Sequence, residues 1–232
     1  MTNAHKMTTR RLLNTVLLTV SGTLAPSNMA SSDVLIDAGE AVEGVVTDIR
    51  YAGENNFMGR PVAGYRAAKC WLSREATFAL SKAQRLAKAQ GLAILIYDCY
   101  RPQRAVDDFV KWVSANEDEP TKAAYYPNVQ RSELIDRGYI ASRSGHSRGS
   151  TIDLTLIAIE SGQPLNMGTP WDYFDARSHT ASKEVDEATI KNRQTLKRIM
   201  ESAGFKGYYA EWWHFTLNNE PFPDTYFDIP IQ

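Results

Sequence analysis

The chain has 232 residues, an apolar content of 43% and a formal net charge of −1. This length allows one domain, or two small ones at most, and the apolar content is sufficient for a sizeable core. The sequence has no basic stripe, which excludes a typical nucleic-acid-binding protein and favours a partner that is a small molecule or a peptide.

The first residues of the chain have the pattern of a secretory signal peptide. Three basic residues precede an apolar run over residues 12–25, and small residues follow before Ser31. This run is shorter than the roughly 20 residues that cross a membrane. A membrane anchor or a first helix of the domain is the alternative. We therefore predict a leader over residues 1–30, a single domain over residues 31–232, export to the bacterial periplasm, and no stable membrane association after leader removal.

Two cysteines, Cys70 and Cys99, lie in the predicted domain. In an exported protein an even pair suggests a disulfide, whereas in a reducing cytosol the same pair would be two buried thiols. We take a Cys70–Cys99 bridge as the hypothesis, with two thiols as the alternative.

Regular elements are predicted from apolar spacing and from the residues that end helices. Helical spacing covers residues 74–90 and 186–203, and Gly91 and Gly204 are placed to end these helices. Pro102 suits the first turn of another helix, which runs to about Val113. Strands are predicted over residues 41–49, 92–97, 152–159 and 208–217.

The remaining segments are predicted to be irregular. Residues 31–45 are expected to form an exposed lead-in, and residues 115–145 to be turn-rich with a short helix near Glu133. Residues 160–182 form a loop of a length that usually has a function. Helices and strands mix without regular alternation, which predicts an α+β fold: a small, mainly antiparallel sheet with flanking helices.

Two segments contain residues suited to metal chemistry. Ser-Gly-His-Ser-Arg-Gly-Ser-Thr-Ile-Asp contains His146 and Asp153, and Glu-Trp-Trp-His contains Glu211 and His214. Imidazole and carboxylate are zinc ligands, and a catalytic zinc takes three of them and leaves one position for water. A turn through Gly149 would bring the first histidine back over the following strand.

The second segment requires an irregular backbone if both of its polar residues face the metal. Glu211 and His214 lie three apart, so the period of two along a strand does not place them on one face. A bulge or turn around Trp212 and Trp213 is therefore expected, with Glu211 as the general base. Each segment alone is also compatible with an ordinary turn or surface loop, and His179 is interpreted as a loop residue.

Taken together, the two segments resemble the VanX-type D-alanyl-D-alanine dipeptidases, a family of zinc peptidases with S-x-H-x-x-G-x-x-x-D and E-x-W-H. The similarity extends to Tyr97-Asp-Cys-Tyr-Arg-Pro, to Met167-Gly-Thr and to Trp171-Asp-Tyr-Phe-Asp. It covers roughly residues 40–230, and its motifs occur in the expected order.

The resemblance implies a function, a cofactor and a set of roles. It implies hydrolysis of the small D,D-dipeptide D-Ala-D-Ala, one zinc ion per chain, and the fold shared with zinc D,D-carboxypeptidases and the hedgehog signalling domain. The implied zinc ligands are His146, Asp153 and His214. Glu211 corresponds to the base, and Arg101 to an arginine that stabilises the oxyanion. The positions implied for the substrate pocket are Tyr51, Asp98, Ser144 and Asp172, with Asp172 expected to bind the substrate ammonium.

Other functions remain open at this point. One is a zinc carboxypeptidase that cleaves D,D- or L,D-bonds in peptidoglycan stems, and another is a zinc-stabilised binding module without catalysis. A third is an exported protein with no metal. Two features depart from the family pattern: Thr151 replaces a common alanine, and the leader implies export where members linked to glycopeptide resistance are cytoplasmic. Export favours a role in cell-wall turnover or nutrient use. Oligomeric state is not predicted.

Overall fold

A computed structural model describes residues 1–2, 34–115 and 118–232. Nearly all of the predicted leader lies outside these ranges, so the leader remains a prediction. The described helices, apart from 3₁₀ turns, are α1 (Ala38–Ala41), α2 (Arg74–Lys88), α3 (Gln103–Ser114), α4 (Lys122–Tyr125) and α5 (Glu187–Ala203). The strands are β1 (Leu35–Asp37), β2 (Val46–Thr47), β3 (Trp71–Ser73), β4 (Leu92–Asp98), β5 (Thr151–Ala158), β6 (Phe205–Gly207) and β7 (His214–Leu217).

The main sheet has five strands in the order β2-β4-β5-β7-β6. Only the β2–β4 pair is parallel, and the other three pairs are antiparallel. Strands β1 and β3 form a separate antiparallel pair. The α+β expectation, with a small and mainly antiparallel sheet, is therefore confirmed.

The two faces of the main sheet have different neighbours because successive side chains of a strand point to opposite faces. Ile94 and Ile96 of β4 pair with Leu156 and Leu154 of β5, and all four side chains are fully buried in the core. Helix α2 packs against β4, and α5 packs against α2. Asp153 and Thr155 alternate with these leucines, so they project from the opposite face.

The long helices begin and end as predicted. Ser73 caps α2 through a hydrogen bond from the amide of Ala76 to its hydroxyl, at 3.2 Å. Asp186 caps α5 by accepting from the amide of Thr189 at 2.6 Å. Gly204 follows α5 with φ +107°, a left-handed conformation that suits glycine.

Two predictions near the start of the domain are wrong. The described part of the lead-in, from residue 34 on, is not exposed: it contains β1 and α1, and Val34, Leu35 and Ala38 are buried. The strand predicted over residues 41–49 is reduced to the two residues of β2. Pairing of β1 with β3 buries the lead-in, and sequence periodicity does not show such a distant contact.

The last predicted strand, over residues 208–217, is also divided. Strand β6 ends at Gly207, a turn follows, and β7 begins at His214. A short 3₁₀ helix over Arg131–Glu133 agrees with the short helix predicted near Glu133, whereas α4 was not predicted.

The hypothesis of a bridge between the two cysteines is confirmed. Cys70 and Cys99 are joined by a disulfide with a Cα–Cα distance of 5.1 Å. Within the described ranges, no helix has the length and apolar character needed to cross a membrane.

Candidate active site

Strand register places three polar residues in one row across the main sheet. Asp98 at the end of β4 is paired with Asp153 of β5, and Asp153 is paired with His214 at the start of β7. His146 reaches the same place from a 3₁₀ turn, Gly145–Arg148, that precedes β5. The predicted ligands His146, Asp153 and His214 are therefore brought together by two neighbouring strands and the turn that leads into one of them.

The turn depends on Gly149. This residue ends the 3₁₀ turn with φ +75°, a conformation that side-chain-bearing residues rarely adopt. A β-carbon at this position would lie 2.5 Å from Cδ2 of Leu35. Both constraints require glycine, and they confirm the reversal that the sequence predicted between His146 and β5.

Three ligand atoms converge at almost equal spacing. Nε2 of His146 lies 3.3 Å from Oδ1 of Asp153 and 3.3 Å from Nδ1 of His214, and the last two atoms are 3.1 Å apart. Tetrahedral bonds of about 2.0–2.2 Å separate two zinc ligands by roughly 3.3–3.6 Å. The observed spacing therefore fits three ligands of a single metal ion.

The donor chemistry also fits a cation. Nδ1 of His146 lies 2.6 Å from the carbonyl oxygen of Cys99, so this nitrogen carries the proton and Nε2 presents a lone pair to the site. Oδ1 of Asp153 is buried and has no hydrogen bond of acceptable geometry among the described residues. A buried acceptor without a donor is costly, and a metal ion would satisfy it.

The pKa values of Asp153 and His214 are shifted by burial and by the groups next to them. Burial by itself would raise the pKa of Asp153, but the adjacent imidazoles of His146 and His214 favour its negative charge and hold this pKa far below its ordinary value. Burial would lower the pKa of His214, but the adjacent carboxylates of Asp153 and Glu211 favour its positive charge and raise the pKa to about 10. The carboxylates thus attract positive charge to this site, whether it is a proton or a metal ion.

Glu211 lies at the wall of the same cleft. Its Oε2 is 3.3 Å from Nδ1 of His214, and its side chain is 17% exposed. The turn between β6 and β7 places it there: the amide of Tyr208 donates to the carbonyl of His214 at 2.9 Å, which closes the turn around Glu211. The predicted irregularity before His214 is therefore present.

Arg101 follows the end of β4 and faces Asp153. Its Nη2 is 3.6 Å from Oδ2 of Asp153, and its guanidinium lies 4.9 Å from the ring centre of Tyr51. The guanidinium therefore lies beside the predicted metal ligands and faces the cleft.

These side chains surround a cavity of about 240 Å³. Tyr51, Ser144 and Asp172 line it together with the ligand set, Glu211 and Arg101. The hydroxyl of Tyr51 donates to Oδ2 of Asp172 at 2.5 Å. Burial, followed by the charge of Asp153, raises the pKa of Asp172 well above its ordinary value. The cavity suits a small molecule that brings a positive charge to Asp172.

Comparison with known proteins agrees with this geometry. Residues 31–232 match the family model Peptidase_M15, described as D-ala-D-ala dipeptidase. The chain is 47% identical over 193 residues to a D-alanyl-D-alanine dipeptidase of Enterococcus faecalis, with 83% of this chain and 96% of that protein covered. It is 48% identical over 192 residues to the enzyme of that name from Streptomyces coelicolor, with 83% and 95% covered.

The chain belongs to the D-Ala-D-Ala dipeptidase family. It is therefore a metallopeptidase. A further relative with the same name, from Enterococcus faecium, is 45% identical over 193 residues, which cover 96% of that protein. The likeness to these dipeptidases extends over nearly their whole length.

One pocket residue implied by the likeness to the dipeptidase family has a different position. Asp98 is fully buried behind Arg101 and does not line the cavity. Its Oδ1 accepts from the hydroxyl of Tyr65 at 2.5 Å, and its Oδ2 accepts from Nε of Arg101 at 3.0 Å. Asp98 therefore supports Arg101, and the structure gives it no direct contact with the cavity.

Two residues of this dipeptidase-family site had no role assigned from the sequence. The indole Nε1 of Trp171 donates to Oδ2 of Asp153 at 3.3 Å, and Tyr65 binds Asp98. Trp171 lies in one of the family motifs, but it is 18 residues from Asp153 along the chain, and Tyr65 is 33 residues from Asp98. These contacts became visible only with the fold.

His179 is not a ligand of the dipeptidase-family site. Its ring packs edge-on against Tyr209 with centroids 5.9 Å apart, in a depression next to Glu211. Trp212 and Trp213 are buried, and Nε1 of Trp212 donates to the hydroxyl of Thr169 at 2.9 Å. The interpretation of His179 as a loop residue agrees with its position.

Proposed function

We propose that this chain hydrolyses the dipeptide D-Ala-D-Ala to two D-alanines, with one zinc ion held by His146, Asp153 and His214. The single observation that carries the proposal is the convergence of three potential ligand atoms beside Glu211 and Arg101 in a small cavity. Family membership supports the substrate, because the relatives of nearly equal length bear the name D-alanyl-D-alanine dipeptidase.

Two side chains of the protein would take part in the reaction directly: Glu211 would transfer the proton, and Arg101 would stabilise the oxyanion. The carboxylate of Glu211 takes a proton from the attacking water and delivers it to the nitrogen of the leaving D-alanine. The guanidinium of Arg101 donates hydrogen bonds to the carbonyl oxygen as that oxygen gains negative charge. When bound, zinc supplies Lewis acidity to the water and the carbonyl.

Asp172, Tyr51 and Ser144 would bind the substrate. The carboxylate of Asp172 is 5% exposed, and a buried carboxylate is costly unless it is paired with a cation. The ammonium of a dipeptide supplies that cation, and Tyr51 orients the carboxylate by its hydrogen bond. Ser144 lines the cavity beside His146 and completes the wall.

The proposed compartment is the bacterial periplasm. The leader pattern of residues 1–30 supports export, and a buried disulfide supports an oxidising environment. A periplasmic enzyme of this class would act in cell-wall turnover or nutrient use. The test is fractionation of the native cells, with the reduced or bridged state of Cys70 and Cys99 measured in each fraction.

The function is tested by measuring D-alanine release from D-Ala-D-Ala by purified residues 31–232, with and without a metal chelator. We expect release that the chelator abolishes and that zinc restores, with one zinc per chain found by elemental analysis. L-Ala-L-Ala is the matched control substrate, and it should be hydrolysed far more slowly.

The alternatives give different results in the same assay. A folded, zinc-loaded protein that leaves the dipeptide intact but trims a peptidoglycan stem pentapeptide would be a D,D- or L,D-carboxypeptidase. Zinc binding with no hydrolysis of either substrate would identify a binding module. A folded protein that binds no metal would contradict the proposed zinc site.

A further inference from the structure

The backbone of Cys99 is in direct contact with a proposed metal ligand. Its carbonyl oxygen accepts the Nδ1–H of His146 at 2.6 Å, which fixes the tautomer that leaves Nε2 free for the metal. The amide of Arg101, two residues further on, donates to the carbonyl of His146 at 3.3 Å. Residues 99–101 therefore hold His146 by both its side chain and its backbone.

Residues 99–101 lie just beyond the end of β4, where the pairing with β5 stops at Asp98. Within the described part of the chain, their backbone is tied to the small sheet by one hydrogen bond, from the amide of Tyr100 to the carbonyl of Trp71 at 2.8 Å. The covalent tie is the disulfide from Cys99 to Cys70. The bridge therefore reaches the metal site from outside the main sheet.

Cys70 is itself firmly held. Its side chain is fully buried, and its carbonyl accepts from the amide of Ala38 at 2.7 Å. The next residue, Trp71, begins β3 and pairs with Asp37 of β1. The disulfide thus fastens the carbonyl that orients His146 to a separate, well-packed pair of strands.

We propose that the Cys70–Cys99 disulfide is a positioning element of the metal centre. By fixing the Cys99 carbonyl against His146, the bridged form binds zinc more tightly than the form with two thiols. The inference rests on the proposed zinc site, and it concerns the folded protein: a disulfide also stabilises a fold by constraining the unfolded chain, but that effect does not change the affinity of a ligand for the folded state.

The test compares the zinc affinity of the full chain with that of the double variant Cys70→Ala, Cys99→Ala. Zinc alone is the probe, added to metal-free protein in competition with a chromophoric chelator, at a temperature where both proteins are folded. We expect the zinc dissociation constant to rise about 10- to 100-fold in the variant, the range typical for loss of a group that orients a ligand.

A matched control separates positioning from general stability. Leu196→Ala removes a fully buried side chain from α5, which packs on α2 behind the sheet and away from the metal. This variant should lose thermal stability but keep the wild-type zinc affinity. The ¹⁵N chemical shifts of the His146 ring provide a second measurement. We expect them to show one tautomer in the metal-free wild type and a mixture of tautomers in the double cysteine variant.

Equal zinc affinity in the wild type and the double variant would overturn the inference while leaving the zinc site intact. A wild-type protein that binds no zinc would overturn the proposed function, and this inference with it. If the double variant does not fold, the titration is made on wild-type protein reduced by a water-soluble phosphine. The disulfide then gains two electrons and two protons, and the phosphine becomes its oxide with oxygen from water. Unchanged affinity after this reduction would also overturn the proposal.

Discussion

The guanidinium of Arg101 is held by the carboxylate of Asp98, with Nε at 3.0 Å and Nη2 at 2.9 Å from Oδ2. Because Asp98 is fully buried, it also needs the hydroxyl of Tyr65 at its other oxygen. These contacts fix the orientation of the guanidinium at the cavity. The position of Arg101 is therefore fixed by Asp98, a buried residue that does not line the cavity.

We expect Asp98→Asn to lower kcat by about 10- to 100-fold with a small change in KM. An asparagine keeps one acceptor oxygen but lacks the negative charge that pairs with Arg101 and the second oxygen that accepts from Tyr65, so the guanidinium loses its alignment with the developing oxyanion. Steady-state kinetics on D-Ala-D-Ala measure the effect, and zinc content is checked in the same samples. Tyr65→Phe is the milder control. A wild-type kcat in Asp98→Asn would contradict the positioning role.

The role of Glu211 is tested by Glu211→Gln, which keeps the shape of the side chain but cannot accept a proton at neutral pH. We expect kcat to fall by about 10²- to 10⁴-fold, the usual contribution of a general base. Zinc binding should be retained, since the three ligands are unchanged. The measurement is turnover at fixed zinc occupancy, and near-wild-type turnover would refute the assignment.

Asp172 is tested with a substrate that lacks the ammonium. Asp172→Asn should lower kcat/KM for D-Ala-D-Ala on the order of 10²-fold, because breaking a buried charge pair costs about 2–5 kcal/mol. Propionyl-D-alanine has nearly the same size but no ammonium, so the variant and the wild type should hydrolyse it at similar rates. An equal loss for both substrates would show that Asp172 has a structural role instead.

The ion pair of Asp108 with Arg60 makes stability depend on pH away from the active site. Nη1 and Nη2 of Arg60 donate to the carboxylate at 2.8 and 2.9 Å, and the amide of Ala63 donates at 3.0 Å. Burial would raise the pKa of Asp108, but these hydrogen bonds outweigh it and lower the pKa below its ordinary value. The stability that this interaction contributes is therefore fully present above the ordinary pKa of aspartate, about 3.9. It is lost as the pH falls through the lower pKa that Asp108 has in the folded protein.

Asp108→Asn should reduce the free energy of unfolding by about 1 kcal/mol at pH 7, the net worth of a partly exposed hydrogen-bonded pair. The difference from wild type should shrink as pH falls below about 4. Urea unfolding at several pH values measures it. Asp107→Asn, an exposed neighbour on the same helix, is the matched control. A difference that does not vary with pH would contradict the electrostatic origin.

Local pattern was enough to predict the main helices and the central strands. Apolar spacing and the glycines Gly91 and Gly204 defined α2 and α5 to within about two residues, because a long amphipathic helix contains its own periodic signal. The lead-in was predicted poorly, since β1 is stabilised by pairing with β3, some 35 residues away. Short strands of this kind depend on their partners and have little signal of their own.

The motifs around His146, Asp153, Glu211 and His214 were enough to predict the type of chemistry, because they contain residues suited to metal binding and to proton transfer, and their order matches one family. How these residues meet depends on the tertiary structure. Strand register aligns Asp98, Asp153 and His214 in one row. The tertiary structure also determines which residues support the site from outside the cavity. The contacts of Asp98 with Tyr65 and of Asp153 with Trp171 join side chains that are distant along the chain. Side-chain identity is local information, whereas burial and relative position are set by the packing of the whole chain.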